Sequence, residues 1–309
     1  MHESIRGEWV VWLLVVAGLA VVEIGLAFAR PVLSGDIRHL DEAPQIAERL
    51  HERSDLRVLI GGNSLIGEGL DPSLLDSLLS RDLGREVHGA MVRPDATGPL
   101  EWDYLFRKLV FNPGFVPDVL VLGFGPGHLR DRPASSAYLR LAVHHVDGSD
   151  IGRLWTEELH DFESRVGFFL ARISMTFGLR DRISSRILAT VVPGYRDRAA
   201  ILLITQPGAG SASAPTYQHL VALLDEAGRW DLPVVLVPVP QPAPYPVEQE
   251  VLRIAAARNV AVLDVRPVEG LSVASFPDGK HLSAQGRRTF TRWLAGPLAQ
   301  SLPESLRND

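Results

Sequence analysis

The chain contains no cysteine, which removes disulfides and thiolate chemistry and leaves the compartment open. It also lacks a surplus of basic residues: 31 Lys and Arg stand against 37 Asp and Glu, a formal net charge of -6 at pH 7. A nucleic-acid partner needs a basic face to neutralise phosphates, so none is expected. His88, His128, His144 and His145 have no compact ligand spacing and no acidic cluster beside them, so neither a metal nor another cofactor is expected. No internal repeat runs through the 309 residues.

One long apolar run is present. Trp9 to Ala29 reads WVVWLLVVAGLAVVEIGLAFA, with Glu23 its only charge. Roughly 20 apolar residues cross a hydrocarbon layer of about 30 Å, whereas the apolar core of a signal peptide is about 7–15 residues. Residues 1–29 are therefore expected to be an uncleaved transmembrane anchor. A cleaved signal, with Ala27-Phe28-Ala29 as a small-x-small site, and a buried helix of a soluble protein are the alternatives. Glu23 is either an intramembrane functional group or a side chain that snorkels to the interface, and snorkelling is expected. Arg6 precedes the run while Arg30 and Arg38 follow it, so charge does not fix the topology. A short tail followed by one span places the remainder outside the cytoplasm, periplasmic or extracellular.

Residues 30–55 read as a polar connector with a helix at Ala43–Arg53. Beyond it, residues 56–300 form one domain in which strands alternate with helices. Arg57–Gly61, Pro117–Gly123, Asp231–Pro240 and Asn259–Val265 are apolar runs of the kind buried on both faces of a parallel sheet, and a shorter strand is expected at Arg85–His88. Asp71–Leu79, Tyr217–Trp230, Val247–Arg258 and Thr289–Leu298 read as helices, the first opened by Asp71-Pro72 and the last preceded by a Ser283 cap. The fold class is α/β with a parallel sheet in a three-layer α/β/α sandwich, and its active site belongs at the carboxyl ends of the strands.

A helical insertion at about 138–198 breaks this rhythm. Phe168, Phe169, Ile173, Phe177, Ile183 and Ile187 are interleaved there with Arg165, Arg172, Arg180, Arg182 and Arg186. Such a segment either packs as a lid over the core with its arginines solvated, which is the expectation, or lies on an anionic membrane surface. Gln206–Pro215 reads as a flexible surface loop. The proline-rich Pro238–Pro246 reads as the irregular exit from a strand rather than a peptide-recognition segment.

Two motifs at opposite ends of the domain carry chemistry. Gly61-Gly62-Asn63-Ser64-Leu65 follows a strand directly, and Phe276-Pro277-Asp278-Gly279-Lys280-His281-Leu282 lies before the last helix. A serine hydroxyl attacks a carbonyl only when a base takes its proton. A histidine oriented by a carboxylate is the usual base.

Together these motifs resemble the SGNH (GDSL-type) hydrolases, over Leu56–Leu298 apart from the insertion. The resemblance implies a flavodoxin-like sheet and an esterase, or an enzyme that transfers or removes acyl groups on carbohydrates. Phe276–Arg288 looks like the family's Asp-x-x-His block, which makes Asp278 the orienting acid and His281 the base. Gly62-Asn63-Ser64-Leu65 stands where Gly-Asp-Ser-Leu is usual, which makes Ser64 the nucleophile and its N–H one oxyanion donor. Gly89 is the candidate for the second block's backbone donor. The third block is usually Gly-x-Asn-Asp, but here the strand runs into Gly123-Phe124-Gly125-Pro126-Gly127-His128 and no asparagine is present. Gly127 and His128 are the candidates for the missing donor. The anchored architecture is similar to that of partners of membrane-bound O-acyltransferases, and implies an ester-bearing envelope glycan or polymer as substrate. The alternative is a catalytically inactive scaffold or glycan-binding partner in an envelope complex.

Overall fold

A computed structural model describes residues 2–133, 137–192 and 214–307. They fall into two compact units, Met1–Asp41 with Ala134–Ala214 and Glu42–Pro133 with Pro215–Asp309. The end of the insertion beyond 192, and the loop expected at 206–215 apart from Ala214 and Pro215, lie outside the described residues.

The second unit is built on a five-stranded parallel sheet of order β2-β1-β3-β4-β5. Its strands are β1 (Leu56–Gly61), β2 (Val87–Val92), β3 (Val119–Phe124), β4 (Val234–Pro238) and β5 (Ala261–Val262). The aliphatic runs of β1, β3 and β4 are almost wholly buried, as strands covered on both faces must be. Side chains alternate along a strand, and Val58, Ile60, Val119, Val121, Val235 and Val237 share one core cluster with Leu75, Leu79, Leu294 and Leu298. These last four come from helices α4 (Pro72–Leu83) and α13 (Ala284–Ser301), which pack on each other. The intervening Leu59, Leu120 and Leu236 are equally buried and lie outside that cluster. Helix α5 (Pro99–Phe106) packs with α11 (Gln218–Arg229), and a Cβ added to Gly61 would strike the Phe106 ring.

Local chemistry sets the helix ends. The Asp71 carboxylate caps α4 by accepting the Leu74 N–H at 3.2 Å, Pro72 fills the first turn, and Gly84 closes the helix at φ 68°. The Ser283 hydroxyl accepts the Gly286 N–H at 3.1 Å and starts α13. The Asp71 N–H donates to Thr291 Oγ1 at 3.0 Å, which ties α4 to that helix. Several boundaries differ from the sequence reading. β2 runs Val87–Val92 rather than 85–88, β5 is only two residues long, and the connector helix spans Gly35–His51 (α2) with Pro44 inside it. The proline-rich exit of β4 is held at the sheet's carboxyl edge, where the Tyr245 hydroxyl donates to the Val239 carbonyl at 2.8 Å.

The first unit is helical. It contains α1 (His2–Leu33), α6 (Tyr138–Arg140), α7 (Ile151–Glu157), α8 (Phe162–Ile173), α9 (Met175–Gly178) and α10 (Arg180–Val191). Within α1, Trp9–Arg30 is the one helix among the described residues long and apolar enough to cross a membrane, and none of it is buried. A signal sequence would meet the same test of length and composition. The insertion expected in the sheet domain groups with this N-terminal helix. Four of its five named arginines are bonded within this unit, while Arg186 is exposed. Arg172 donates to the carbonyls of Ala142 and Val146, and Arg165 to that of Leu159. Arg180 reaches the Phe177 carbonyl and the Tyr138 hydroxyl, and Arg182 pairs with Asp36 at 2.6 Å.

Candidate active site

The strand order reverses at β1, whose neighbours β2 and β3 lead away to opposite sides, and crevices form at such a point beyond the carboxyl ends. Ser64 sits there. Gly61 ends β1, Gly62 turns the chain at φ 146°, and Ser64 opens the short helix α3 (Ser64–Gly69). Only glycine fits at position 62. A Cβ would lie 2.6 Å from the Gly123 carbonyl oxygen of β3, on a backbone conformation that L side chains rarely adopt.

Asp278 and His281 arrive on the loop between Phe276 and Leu282. Both end residues are buried, and the Ser283 N–H donates to the Ser275 carbonyl at 2.7 Å across the loop's base. Gly279, at φ 74°, donates its N–H to the Phe276 carbonyl and lets the loop turn back. His281 Nε2 lies 3.0 Å from Ser64 Oγ, and His281 Nδ1 lies 2.7 Å from Asp278 Oδ2. The other oxygen, Asp278 Oδ1, accepts the N–H groups of Lys280 at 2.9 Å and His281 at 2.7 Å. Partial burial opposes ionisation of Asp278. The His281 N–H, the imidazole and the Lys280 N–H outweigh it and hold the carboxyl down at about 2. An ionised Asp278 accepts from Nδ1–H, which leaves Nε2 as the free base facing the hydroxyl. The site is open: the Asp278 side chain is 54 % exposed and that of His281 24 %.

Asn63 takes a structural position beside Ser64. It is buried, and its Oδ1 accepts the Leu65 N–H at 3.0 Å as the cap of α3. Its amide nitrogen then faces the Thr97 carbonyl at 3.2 Å and His128 Nδ1 at 3.0 Å. Both amide hydrogens are thereby used, so Asn63 has none left for an oxyanion. Ser64, as the first helical residue, has no intrahelical acceptor for its N–H.

His128 stands on the turn after β3, with its ring 3.3 Å from where a Gly125 Cβ would be. Burial pushes its pKa down to about 4, with Arg132 and Lys280 acting in the same direction. A neutral ring that accepts at Nδ1 carries its proton on Nε2 and is a donor there. Gly127 adopts φ 68° in the same turn, and the space at its α-carbon faces Arg130. Gly89 is elsewhere. It pairs with Val58 in the middle of β2, three positions short of the Gly61–Val92 pair, and its N–H is directed at the Asp76 carboxylate of α4. The loop that does reach the serine turn from β2 is 93–98, through Thr97. That threonine is anchored by its hydroxyl to the Pro94 carbonyl at 2.8 Å and receives the Trp102 indole N–H at 2.9 Å. Its signal in the sequence was Gly98-Pro99, a turn followed by proline in a first helical turn.

A second histidine cluster was not anticipated. At the amino ends of β1 and β2, His88 Nδ1 lies 3.3 Å from Asp55 Oδ2 and Nε2 lies 3.8 Å from Glu86 Oε1. An imidazole offers a metal one nitrogen, and these carboxylates flank both. No protein-family model matches the chain, and neither does any curated protein.

Proposed function

We propose that the chain is a membrane-anchored serine esterase or O-acyltransferase of SGNH type, with a three-layer α/β/α domain outside the cytoplasm. The observation that carries this reading is the relay from Asp278 through His281 to Ser64, at 2.7 and 3.0 Å. Both distances are within hydrogen-bond reach without substrate. Ser64 Oγ attacks an ester carbonyl carbon while His281 Nε2 takes the hydroxyl proton. Asp278 keeps the imidazole in the required tautomer and balances the imidazolium. Collapse of the tetrahedral intermediate breaks the ester C–O bond, and His281 returns the proton to the leaving alcohol. Water or a sugar hydroxyl then resolves the acyl-serine by the same proton path.

The Ser64 N–H and the His128 Nε2–H are the donors assigned to the oxyanion, the latter in place of the family's asparagine. An ester-bearing envelope glycan or polymer suits an enzyme held beside a membrane, and a membrane-bound O-acyltransferase is the partner this architecture suggests. The competing reading is an inactive scaffold, favoured by the absent asparagine and by the exposure of Asp278. Labelling with a fluorophosphonate separates the two. Wild-type protein is expected to label and Ser64→Ala to remain blank. An unlabelled wild type, or equal labelling of both, overturns the serine-enzyme reading.

A further inference from the structure

Glu23 stands inside the apolar run of α1, seven residues before Arg30, or about 10 Å along the axis at 1.5 Å per residue. A carboxylate at that level is costly unless it is satisfied. It is not snorkelling. Its oxygens accept the Ser174 hydroxyl at 2.6 Å, the Met175 N–H at 2.7 Å and the Thr176 N–H at 3.2 Å. The first turn of α9 is therefore fixed at the depth of Glu23.

Helix α8 ends two residues before α9 begins, at Ile173. Phe162, Val166, Phe169 and Ile173 are exposed at spacings of four, three and four, which is a single stripe down one side of the helix. Ser164, Gly167, Phe168 and Ala171 are its buried residues. Ile187, Leu188 and Val191 form a second exposed apolar face on α10. Arg165 and Arg172 of α8 are bonded to carbonyls within the same unit, so the exposed stripe itself is aliphatic and aromatic rather than basic.

We propose that α8 and α10 enter the bilayer beside α1, with lipid acyl chains covering both faces, so that a helical collar and not one span holds the protein. The proposal rests on the anchor reading of α1. Its occupant follows from continuity: the collar is hydrogen-bonded to the span at a level where the surroundings of the span are hydrocarbon. Apolar burial rather than charge drives its insertion, so zwitterionic vesicles suffice.

The absence of native cysteine allows single nitroxide labels on the full-length protein in phosphatidylcholine liposomes. Phe169→Cys and Ile187→Cys test the collar, Val16→Cys reports the span, and Leu252→Cys, on an exposed face of the other unit, reports water. Labels at 169 and 187 are expected to collide freely with oxygen and poorly with a soluble nickel chelate, matching position 16 and opposite to 252. Nickel access at 169 and 187 with an oxygen-rich position 16 overturns the collar and leaves the anchor standing. Protection from both agents at 169 and 187 means that protein covers these faces, and overturns it also. Nickel access at position 16 removes the anchor and the collar together.

Discussion

The sheet carries a histidine between oxygen atoms at each of its two edges, and only one of them has the arrangement the proposed relay requires. At the amino edge His88 lies between Asp55 and Glu86, at 3.3 and 3.8 Å. At the carboxyl edge His281 lies between one carboxylate at 2.7 Å and a hydroxyl at 3.0 Å. The difference is directional. At the amino edge both ring nitrogens face carboxylates and neither faces a hydroxyl. One carboxylate and one hydroxyl leave a nitrogen free to accept. Asp278 is also held by two backbone N–H groups and stays ionised down to about pH 2. A His–carboxylate contact is thus common currency, and the geometry of the third partner decides its use.

Asp278→Asn breaks this comparison most sharply. With the ring free to adopt the wrong tautomer, ester turnover is expected to fall by about 10⁴-fold, as measured by kcat on an activated ester. His128→Ala comes next, with a loss of about 100- to 1000-fold in kcat and little change in KM, the signature of a donor used in the transition state. The same residue sets a pH dependence. Its pKa is lowered from 6.5 to about 4, so between those values the unfolded chain binds more protons than the folded one. Stability is expected to decline as pH falls through that window, by at most about 3 kcal/mol. The decline should be absent from denaturation curves of His128→Gln.

Asn63→Ala removes a helix cap and is expected to cost about 1 kcal/mol in urea denaturation, together with a loss of activity as the serine turn loosens. His88→Ala is the smallest. Activity is expected to stay at the wild-type level and stability to shift by no more than about 0.5 kcal/mol.

The sequence made the strands legible where burial on both faces forces continuous aliphatic runs, as at Arg57–Gly61 and Pro117–Gly123. It made helices legible where capping chemistry is local, as at Asp71-Pro72 and Ser283. Helix α5 escaped because all eight of its residues are buried, including Glu101 and Asp103, so no amphipathic period marks it. Glu101 accepts the Gly98 N–H, and Asp103 pairs with Arg107 at 3.0 Å. The serine and the Asp-x-x-His were legible as residue types, but a sequence separation of 217 between Ser64 and His281 leaves their meeting to tertiary structure. Gly89 was chosen from a strand end expected at His88, whereas the strand runs to Val92 and holds Gly89 within it. The bonds of Arg165, Arg172 and Arg180 were not legible because their partners include backbone carbonyls, which no side-chain pattern announces.

The acid and the base share one short loop, and every bond that orients the imidazole against Asp278 is made within that loop. Thermal loosening therefore displaces the pair as a rigid cassette, with one coordinate that matters, its separation from the serine. Mild denaturant should inactivate the protein in a single step well before the sheet unfolds, and the Asp278–His281 coupling should survive that step intact.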